Sequence, residues 1–424
     1  MIGKIIWVTP SARGHVNPTL PVVQELVQRG AQVMCYNTAE FRTQIEHAGA
    51  TFRAYPDTDM TSTAFSRLLH HGHLANVTEL LLRTTEHLLP FLVNELAREQ
   101  PDLVLVDSLA LWGKMAASLV DVRAAASISH FIMDERQLPW GDVLPLLWQT
   151  LPKVPTLLRA RRRLVRRYGA AYPAARPLFP MRAGLNIVFT ARALQPDTPI
   201  IDRTFRFVGP SINPQLRGED VPFDLVPRDP VVYISLGTVH HTQAAFYRTC
   251  FEAFSGYKAR FILAVGVQMD IQSLGAIPPN FIVRLYVPQL AVLQRTIVFI
   301  THGGMNSVHE ALYYGVPMIL VPQQFEQLLN ARCVAAHGAG CIIDNRLRRK
   351  PVTAGVLQAA FEAVLAEPGF RTAAADVQKV VRATGGYTQA ADEIQAYMME
   401  RVPVDAQEAV VRPAPAVDRL SRDE

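Results

Sequence analysis

Cysteine is scarce: the 424 residues contain four, Cys35, Cys250, Cys333 and Cys341, scattered without metal-ligand spacing. That argues against a disulfide-stapled fold and against a cysteine metal centre. Cys35 and Cys333 lie in or beside apolar runs and read as buried free thiols, which fits a reducing, cytoplasmic setting. No apolar run approaches the ~20 residues that span a bilayer. The start lacks the long apolar core and small-residue cleavage site of a secretory leader; Ile5-Ile6-Trp7-Val8 reads directly as a strand. Excess charge is also small, at +5, and it is local. Lys153, Arg159, Arg161, Arg162, Arg163, Arg166 and Arg167 lie in one stretch with no acid, and removing these seven turns +5 into −2. A nucleic-acid-binding surface spread over a domain is not expected. Beside a local nucleic-acid contact, the stretch itself has two readings. One is a solvated helix face. The other is a basic amphipathic helix on anionic lipid, because Leu157, Leu158, Leu164 and Val165 interrupt the arginines at roughly helical spacing.

What the chain does have is length and apolar content, 49% hydrophobic, enough for two domains with their own cores. The first half alternates strands and helices as a doubly wound sheet does. A strand at Lys4–Thr9 leads through Ser11-Ala12-Arg13-Gly14 into a helix that Asn17 can cap, with Pro18 at its first position and Gly30 past its end. Val33–Tyr36 is a second strand, Glu79–Arg98 a long helix with Pro90 inside it, and Leu103–Val106 a buried parallel strand. From Met133 to about Leu178 the pattern is irregular, as functional loops often are. Expected boundaries follow: an N-terminal Rossmann-like domain over 1–209, a Pro- and charge-rich linker over 210–230, and a second Rossmann-like domain over 231–385. A helix over 386–402 is expected to cross back to the first domain, and 403–424 reads as a disordered tail. Strands Val231–Ser235, Phe261–Val265, Ile282–Leu285, Val298–Thr301 and Met318–Val321 build the second sheet.

One run carries chemistry in every part. It comprises Tyr286-Val287-Pro288-Gln289, a strand ending at Thr301, His302-Gly303-Gly304-Met305-Asn306-Ser307, a helix bearing Glu310, and Pro322 to Glu326-Gln327. A buried strand that ends in a glycine pair and opens a helix leaves backbone N–H groups aimed at open space, with the positive end of the helix dipole behind them. That arrangement holds a diphosphate. His302 and Ser307 add side-chain donors, Glu310 can accept from a ribose hydroxyl pair, and Tyr286 offers a flat face to a base. The glycines alone would be weak evidence; the full run is strong.

This run resembles the donor-binding signature of the family-1, GT-B-fold glycosyltransferases, the group that includes bacterial macrolide glycosyltransferases. The resemblance implies an α/β fold of two Rossmann-like domains facing across a cleft. It also implies that Tyr286 stacks on uracil, Gln289 sits near the ribose, and His302, Gly304, Asn306 and Ser307 hold the diphosphate. Glu310 would bind the ribose hydroxyls, and Glu326 with Gln327 the hydroxyls of the sugar. Two positions depart from the common pattern: the stacking residue is often Trp, and the sugar-binding pair is often Asp-Gln.

In the first half, His15 follows Gly14 in the loop after the first strand, immediately before a helix, and Asp107 stands at the carboxyl end of the strand Leu103–Val106. A neutral imidazole suits removal of a hydroxyl proton near pH 7, and a carboxylate on its other nitrogen fixes the tautomer. The family keeps its catalytic dyad at these places, so His15 is the expected base and Asp107 its partner, although Asp107 could also cap the following helix. Ser235 and Thr238 end the first strand of the second half, where their hydroxyls could reach a leaving phosphate. Asp57-Thr58-Asp59 spells a metal-binding motif of another glycosyltransferase fold but stands in the wrong context, and His70, His71 and His73 lack a carboxylate or thiolate in ligand spacing. His240 and His241 carry no assignable role. The expectation is an inverting, metal-independent transferase without a cofactor. It would move glucose from UDP-glucose to a hydroxyl of an apolar small molecule such as a macrolide or polyphenol, with Leu80–Leu92 and Phe131–Leu147 as acceptor walls. The alternatives are a membrane-associated lipid glycosyltransferase and a non-catalytic nucleotide-sugar-binding protein.

Overall fold

The computed structural model describes residues 3–56, 60–61, 74–133, 141, 144, 147–148, 150–173, 180–216, 230–237, 243–343 and 351–400. Seven strands form the first sheet: β1 (Lys4–Val8), β2 (Gln32–Asn37), β3 (Thr51–Ala54), β4 (Leu103–Asp107), β5 (Ala124–Ile128), β6 (Leu185–Val188) and β7 (Phe205–Phe207). They are all parallel, in the order β3-β2-β1-β4-β5-β6-β7. Six more form the second: β8 (Val231–Ser235), β9 (Arg260–Ala264), β10 (Phe281–Arg284), β11 (Thr296–Thr301), β12 (Met318–Leu320) and β13 (Gly340–Ile342). Their order is β10-β9-β8-β11-β12-β13, again parallel throughout. The central strands are apolar end to end because helices cover both faces, leaving no solvent side to alternate with. β4 and β8 are buried at every position.

The helices of the first domain are α1 (Arg13–Gln28), α2 (Arg42–His47), α3 (Leu74–Glu99), α4 (Leu111–Leu119) and α5 (Val154–Tyr168). Those of the second are α6 (Ala244–Phe254), α7 (Gln289–Leu293), α8 (Met305–Tyr313), α9 (Phe325–Ala336), α10 (Ala354–Ala366) and α11 (Pro368–Arg382). A last helix, α12 (Gly386–Met399), follows in sequence but packs on α1 and β6. Its Ala390, Ala391 and Ile394 join the core around Ile5, Trp7, Val23 and Leu105, and Arg29 of α1 reaches Asp392 and Gln395 at 2.5 and 2.8 Å. Gly386 N donates to Val208 O at 2.7 Å, which docks the start of α12 beside the end of the first sheet.

Three local expectations change. The first helix begins at Arg13, not after Asn17. Ala12 is extended (φ −135°, ψ 125°) and its carbonyl already accepts from the backbone of His15 and Val16, so Ala12 is the cap and Asn17 lies inside the helix with Pro18 and Pro21. The span from Met133 to Leu178 contains a regular 15-residue helix, α5, which tucks Ala160 and Leu164 against α3 while its other face stays outside. The stretch Leu80–Leu92, expected as an acceptor wall, lies on α3, and Leu81, Leu82, Leu88, Leu89 and Leu92 are core residues. Within 210–230, Ser211, Ile212 and Asn213 are buried, and Asn213 donates to Gln24 at 2.8 Å. Residues 217–229 and 401–424 lie outside the described residues, as do Asp57, Thr58, Asp59, His70, His71, His73, Thr238, His240 and His241.

All four cysteines are free; Cys35, Cys250 and Cys333 are buried and Cys341 is half-buried. Burial pushes the Cys35 and Cys333 thiols up to about 12, so both stay protonated, and Cys333 Sγ donates to Leu194 O at 2.9 Å. No helix among the described residues is long and apolar enough to cross a membrane.

Close packing between α4 and the sheet generates a stability prediction. A Cβ on Gly113 would stand 2.8 Å from Val8 Cγ1 and 3.0 Å from Val106 Cγ1. Gly→Ala in a helix normally stabilises by about 1 kcal/mol. Here overpacking should reverse the sign, so Gly113→Ala is expected to lose about 1–3 kcal/mol in urea unfolding. A neutral or stabilising result would show that α4 can lift off the sheet freely.

Candidate active site

Both sheets reverse their strand order next to their first strand, and the crevice beyond the carboxyl ends at such a point is where open α/β sheets bind ligands. In the first sheet the reversal lies between β1 and β4, paired in register from Ile5↔Leu103 to Val8↔Val106. β1 delivers the loop into α1, with His15 on that helix's first turn, and β4 ends on Asp107. The side chains meet: His15 Nδ1 lies 2.9 Å from Asp107 Oδ2. An ionised carboxylate only accepts, so Nδ1 carries the proton and Nε2 keeps its lone pair. Asp107 uses its oxygens separately, for Oδ1 accepts from Leu109 N at 2.9 Å and braces the turn into α4. It does not cap that helix; Ala110 occupies the cap position.

Burial alone would lower the His15 pKa. The charge of Asp107, its hydrogen bond and the charge of Glu326 across the cleft together outweigh it, and the pKa lies above the ordinary 6.5. Ser129, which follows β5, adds a hydroxyl 3.1 Å from the same Nδ1. The loop bearing α1 is set from beneath: Asn37 Nδ2 donates to Thr9 Oγ1 at 2.7 Å, Ser11 Oγ donates to Asn37 Oδ1 at 2.9 Å, and Tyr55 OH donates to Thr9 O at 2.9 Å. Sequence reasoning missed Ser129, Asn37 and Tyr55. Only Asn37 had a local signal, a polar residue closing an apolar strand.

The second sheet reverses between β8 and β11, with Ser235 paired to Thr301. His302 follows β11, then Gly303 (φ +81°) turns the chain and Gly304 opens α8 without any side-chain cap. The first N–H groups of α8 are therefore available to an anion. His302 is wedged between two glycines. A Cβ on Gly304 would lie 2.4 Å from its Nε2, and one on Gly237 (φ +76°) 2.6 Å from its Cε1. Burial pushes the His302 pKa down to about 4, partly opposed by a hydrogen bond to the Ser235 backbone, so the ring is neutral near pH 7. Asn330 Nδ2 donates to Gly303 O at 3.0 Å and fixes the glycine turn.

Glu310 is the sixth residue of α8, hence on its second turn and not its first, and it is buried. Gln289, at the start of α7, donates through Nε2 to Glu310 Oε2 at 2.6 Å and approaches Ser307 Oγ at 3.4 Å. Its Oε1 accepts from Tyr233 OH at 3.1 Å, and Tyr233 is stacked on Phe299 of the neighbouring strand. Gln289 thus braces Glu310 and Ser307, a role the sequence did not suggest. Tyr286 follows β10 with its ring half exposed. Glu326 is exposed on the first turn of α9, whereas Gln327 is buried and accepts from Gln323 N at 2.8 Å through Oε1. Ser235 Oγ accepts from Gly237 N at 3.3 Å.

The two halves meet around α8. Asn306 Nδ2 approaches Gly14 O at 3.4 Å, His309 Nε2 lies 3.0 Å from Thr190 Oγ1, and a small cleft between them is lined by Asn17, Pro18, Ser129, Ser211, Asn306, His309 and Glu310 among others. The structure therefore brings together a buried His–Asp pair and an uncapped helix start carrying a neutral histidine, facing each other across one cleft.

These opposite environments should be visible by NMR titration of the histidine rings. His15 is expected to titrate above 6.5 and His302 near 4. In Asp107→Asn, burial is left to dominate and the His15 midpoint should fall below its wild-type value. An unchanged midpoint would mean that Asp107 does not hold the ring in solution.

Comparison with known proteins converges on one group. Residues 252–396 match the family model described as erythromycin biosynthesis protein CIII-like, C-terminal domain. The NDP-glycosyltransferase YjiC of Bacillus subtilis is 34% identical over 91% of this chain and 95% of its own length. The uncharacterized UDP-glucosyltransferase YojK of the same organism is 28% identical over 93% and 97%. The crystal structure of the glycosyltransferase of kitacinnamycin superposes with a TM-score of 0.78 at 29% identity, covering 93% of this chain and 98% of that one. With the two facing parallel-sheet domains, the chain belongs to the family-1, GT-B-fold glycosyltransferases of the bacterial natural-product type.

Proposed function

We propose that this glycosyltransferase moves glucose from UDP-glucose to a hydroxyl of an apolar small molecule, with inversion at the anomeric carbon and without a metal. The observation that carries the reading is the His15–Asp107 pair facing the uncapped start of α8, because a protein that only binds nucleotide sugars needs no oriented base opposite the donor. His15 Nε2 takes the acceptor proton while the acceptor oxygen bonds to the anomeric carbon. The bond from that carbon to the diphosphate oxygen breaks on the opposite face, and UDP leaves with the electron pair. Asp107 stabilises the imidazolium formed at His15. Negative charge on the departing diphosphate meets the N–H groups of α8 and the neutral His302 ring, which supply electrostatically what a cation supplies elsewhere.

In this reading Tyr286 stacks on the uracil, Glu310 takes the ribose hydroxyls while Gln289 fixes its carboxylate, and Gly304, Asn306 and Ser307 sit around the phosphates. Ser235 belongs to the same phosphate side. Glu326 and Gln327 belong to the sugar; Glu326 is near enough for its charge to act on His15, as a residue beside the transferred sugar should be. The UDP-glucose assignment draws on YojK and on the Tyr286 to Gln327 run, and the apolar acceptor on the natural-product relatives.

The test is UDP release from UDP-glucose with a mixed panel of macrolide and flavonoid acceptors. His15→Ala should lower acceptor-dependent release by about 10²–10⁴-fold, and EDTA should leave the wild type unchanged. Undiminished activity in His15→Ala would overturn the mechanism, and loss in EDTA would overturn its metal independence.

The pH profile gives a second check. The His15 pKa is raised above 6.5 and the neutral form is the base, so kcat/KM should fall as pH drops through that value. Asp107→Asn should move this acid limb to lower pH and reduce kcat by about 10²–10⁴-fold. An acid limb unmoved by the substitution would assign the titration to another group.

A further inference from the structure

We infer that the outer face of α5 is a docking surface for anionic phospholipid bilayers. Helix α5 packs its Ala160 and Leu164 against α3, with Leu157 and Tyr168 half-buried beside them. On the opposite side, Arg159, Arg162 and Arg166 recur at spacings of three and four residues and form one exposed ridge. Along its flank lie Leu158 and Val165, 42% and 38% exposed, and in the short turn that leads into α5 Leu151, seven residues before Leu158, is 57% exposed. Trp148, just before this row, is 74% exposed, and Leu144 and Leu147 are 51% and 47% exposed.

The neighbouring cations are engaged: Lys153 pairs with Glu79 at 2.8 Å, Arg163 forks onto Glu86 at 2.7 and 3.0 Å, and Arg161 and Arg167, still charged, lie over the rings of Tyr172 and Tyr168. Among the described residues, none forms a hydrogen bond or ion pair with Arg159, Arg162 or Arg166. The segment from Lys153 to Arg167 contains no acid.

A ridge of unpaired arginines alone would be a solvated face, and scattered exposed leucines alone would be ordinary surface. Side by side on one helix, with a tryptophan at one end, they match a bilayer interface. There the arginines meet headgroup phosphates while the leucines and the indole enter the acyl boundary. The placement also has a direction. Glu79 and Glu86 of α3 pair with Lys153 and Arg163, so the two helices run the same way. Because α3 ends just before β4 begins, its start, and with it Trp148 and Leu151, lies toward the carboxyl ends of the strands, the end of the sheet that carries His15 and Asp107. A bilayer on this face would bring dissolved apolar molecules to the acceptor side. The inference rests on the helix surface and not on the identity of the donor or the acceptor.

The test is co-sedimentation of the full chain with vesicles of phosphatidylglycerol and phosphatidylcholine, against vesicles of phosphatidylcholine alone. At about 0.1 M salt the protein should pellet with the anionic vesicles and not with the neutral ones, and salt approaching about 1 M should release it. The variant R159Q/R162Q/R166Q, checked by thermal melting to be folded, should bind at least about tenfold more weakly. Trp148→Phe should remove most of any blue shift in tryptophan fluorescence on binding. Failure to pellet with anionic vesicles at low salt would overturn the inference and leave this face to solvent or to an acidic protein. Equal pelleting with neutral vesicles, or a triple variant that binds like the wild type, would overturn it too.

Discussion

The adjacency of β1 and β4 is the constraint on which the chemistry depends. Nearly a hundred residues separate the two strands in sequence, yet they lie side by side at the reversal of the first sheet, paired in parallel from Ile5 to Val8. Parallel pairing sends both chains out at the same edge. Only there can a residue on the first turn of α1 and the last residue of β4 bring a ring nitrogen and a carboxylate oxygen to 2.9 Å. The close approach of Gly113 to Val8 and Val106 holds α4 down behind the same two strands, so the turn braced by Asp107 has little room to move. A local deformation of this corner would reach His15 directly, because the contacts that set its loop and ring include ones from the ends of β1, β2, β3, β4 and β5.

The second sheet repeats the geometry and gives its histidine the opposite environment. His15 is buried against a carboxylate and its pKa rises; His302 is buried between glycines and its pKa falls. In the proposed mechanism one ring takes up a proton on a hydroxyl's behalf, and the other stays neutral as a donor beside the phosphates. The division follows from packing. Gly237 and Gly304 leave no side chain that could bring a charge against His302, while their missing Cβ atoms make room for the ring. Substituting either glycine would displace the ring before it changed any charge.

Much of this was legible in the sequence, for identifiable reasons. The β8 and β11 strands announce themselves as apolar runs, and the donor run is contiguous, so its chemistry survives without knowledge of the fold. His15 and Asp107 are 92 positions apart and became a pair only through strand topology. The start of α1 was misplaced because Asn17-Pro18 spells a helix start, whereas the carbonyl of Ala12 had already opened the helix a turn earlier. β5 was not seen at all: Ala124-Ala125-Ala126-Ser127-Ile128 has a helical composition, and its strand conformation comes from the neighbours β4 and β6. With β5 unread, Ser129 could not be placed beside His15. Gln289 is placed near the ribose by the resemblance alone; its bracing contacts with Tyr233 and Glu310 are tertiary and have no signal in the sequence.

Pro18 shows how a residue that looks like a helix-start signal can serve the cleft instead. Inside α1 its nitrogen has no proton to give, so the carbonyl of Gly14 one turn earlier loses its ordinary helical donor. That carbonyl lies next to His15 in sequence, and across the cleft Asn306 Nδ2 approaches it at 3.4 Å. A proline that would weaken an isolated helix therefore frees an acceptor on the base-bearing turn for the first turn of α8. The contact joins the two helix starts to which the proposed chemistry is assigned, one holding His15 and the other the uncapped N–H groups of α8. Phe131, Ala191 and Leu194 of the first domain pack into the core of the second, and His309 meets Thr190, so the cleft is closed on one side by apolar contact and spanned at its floor by polar ones.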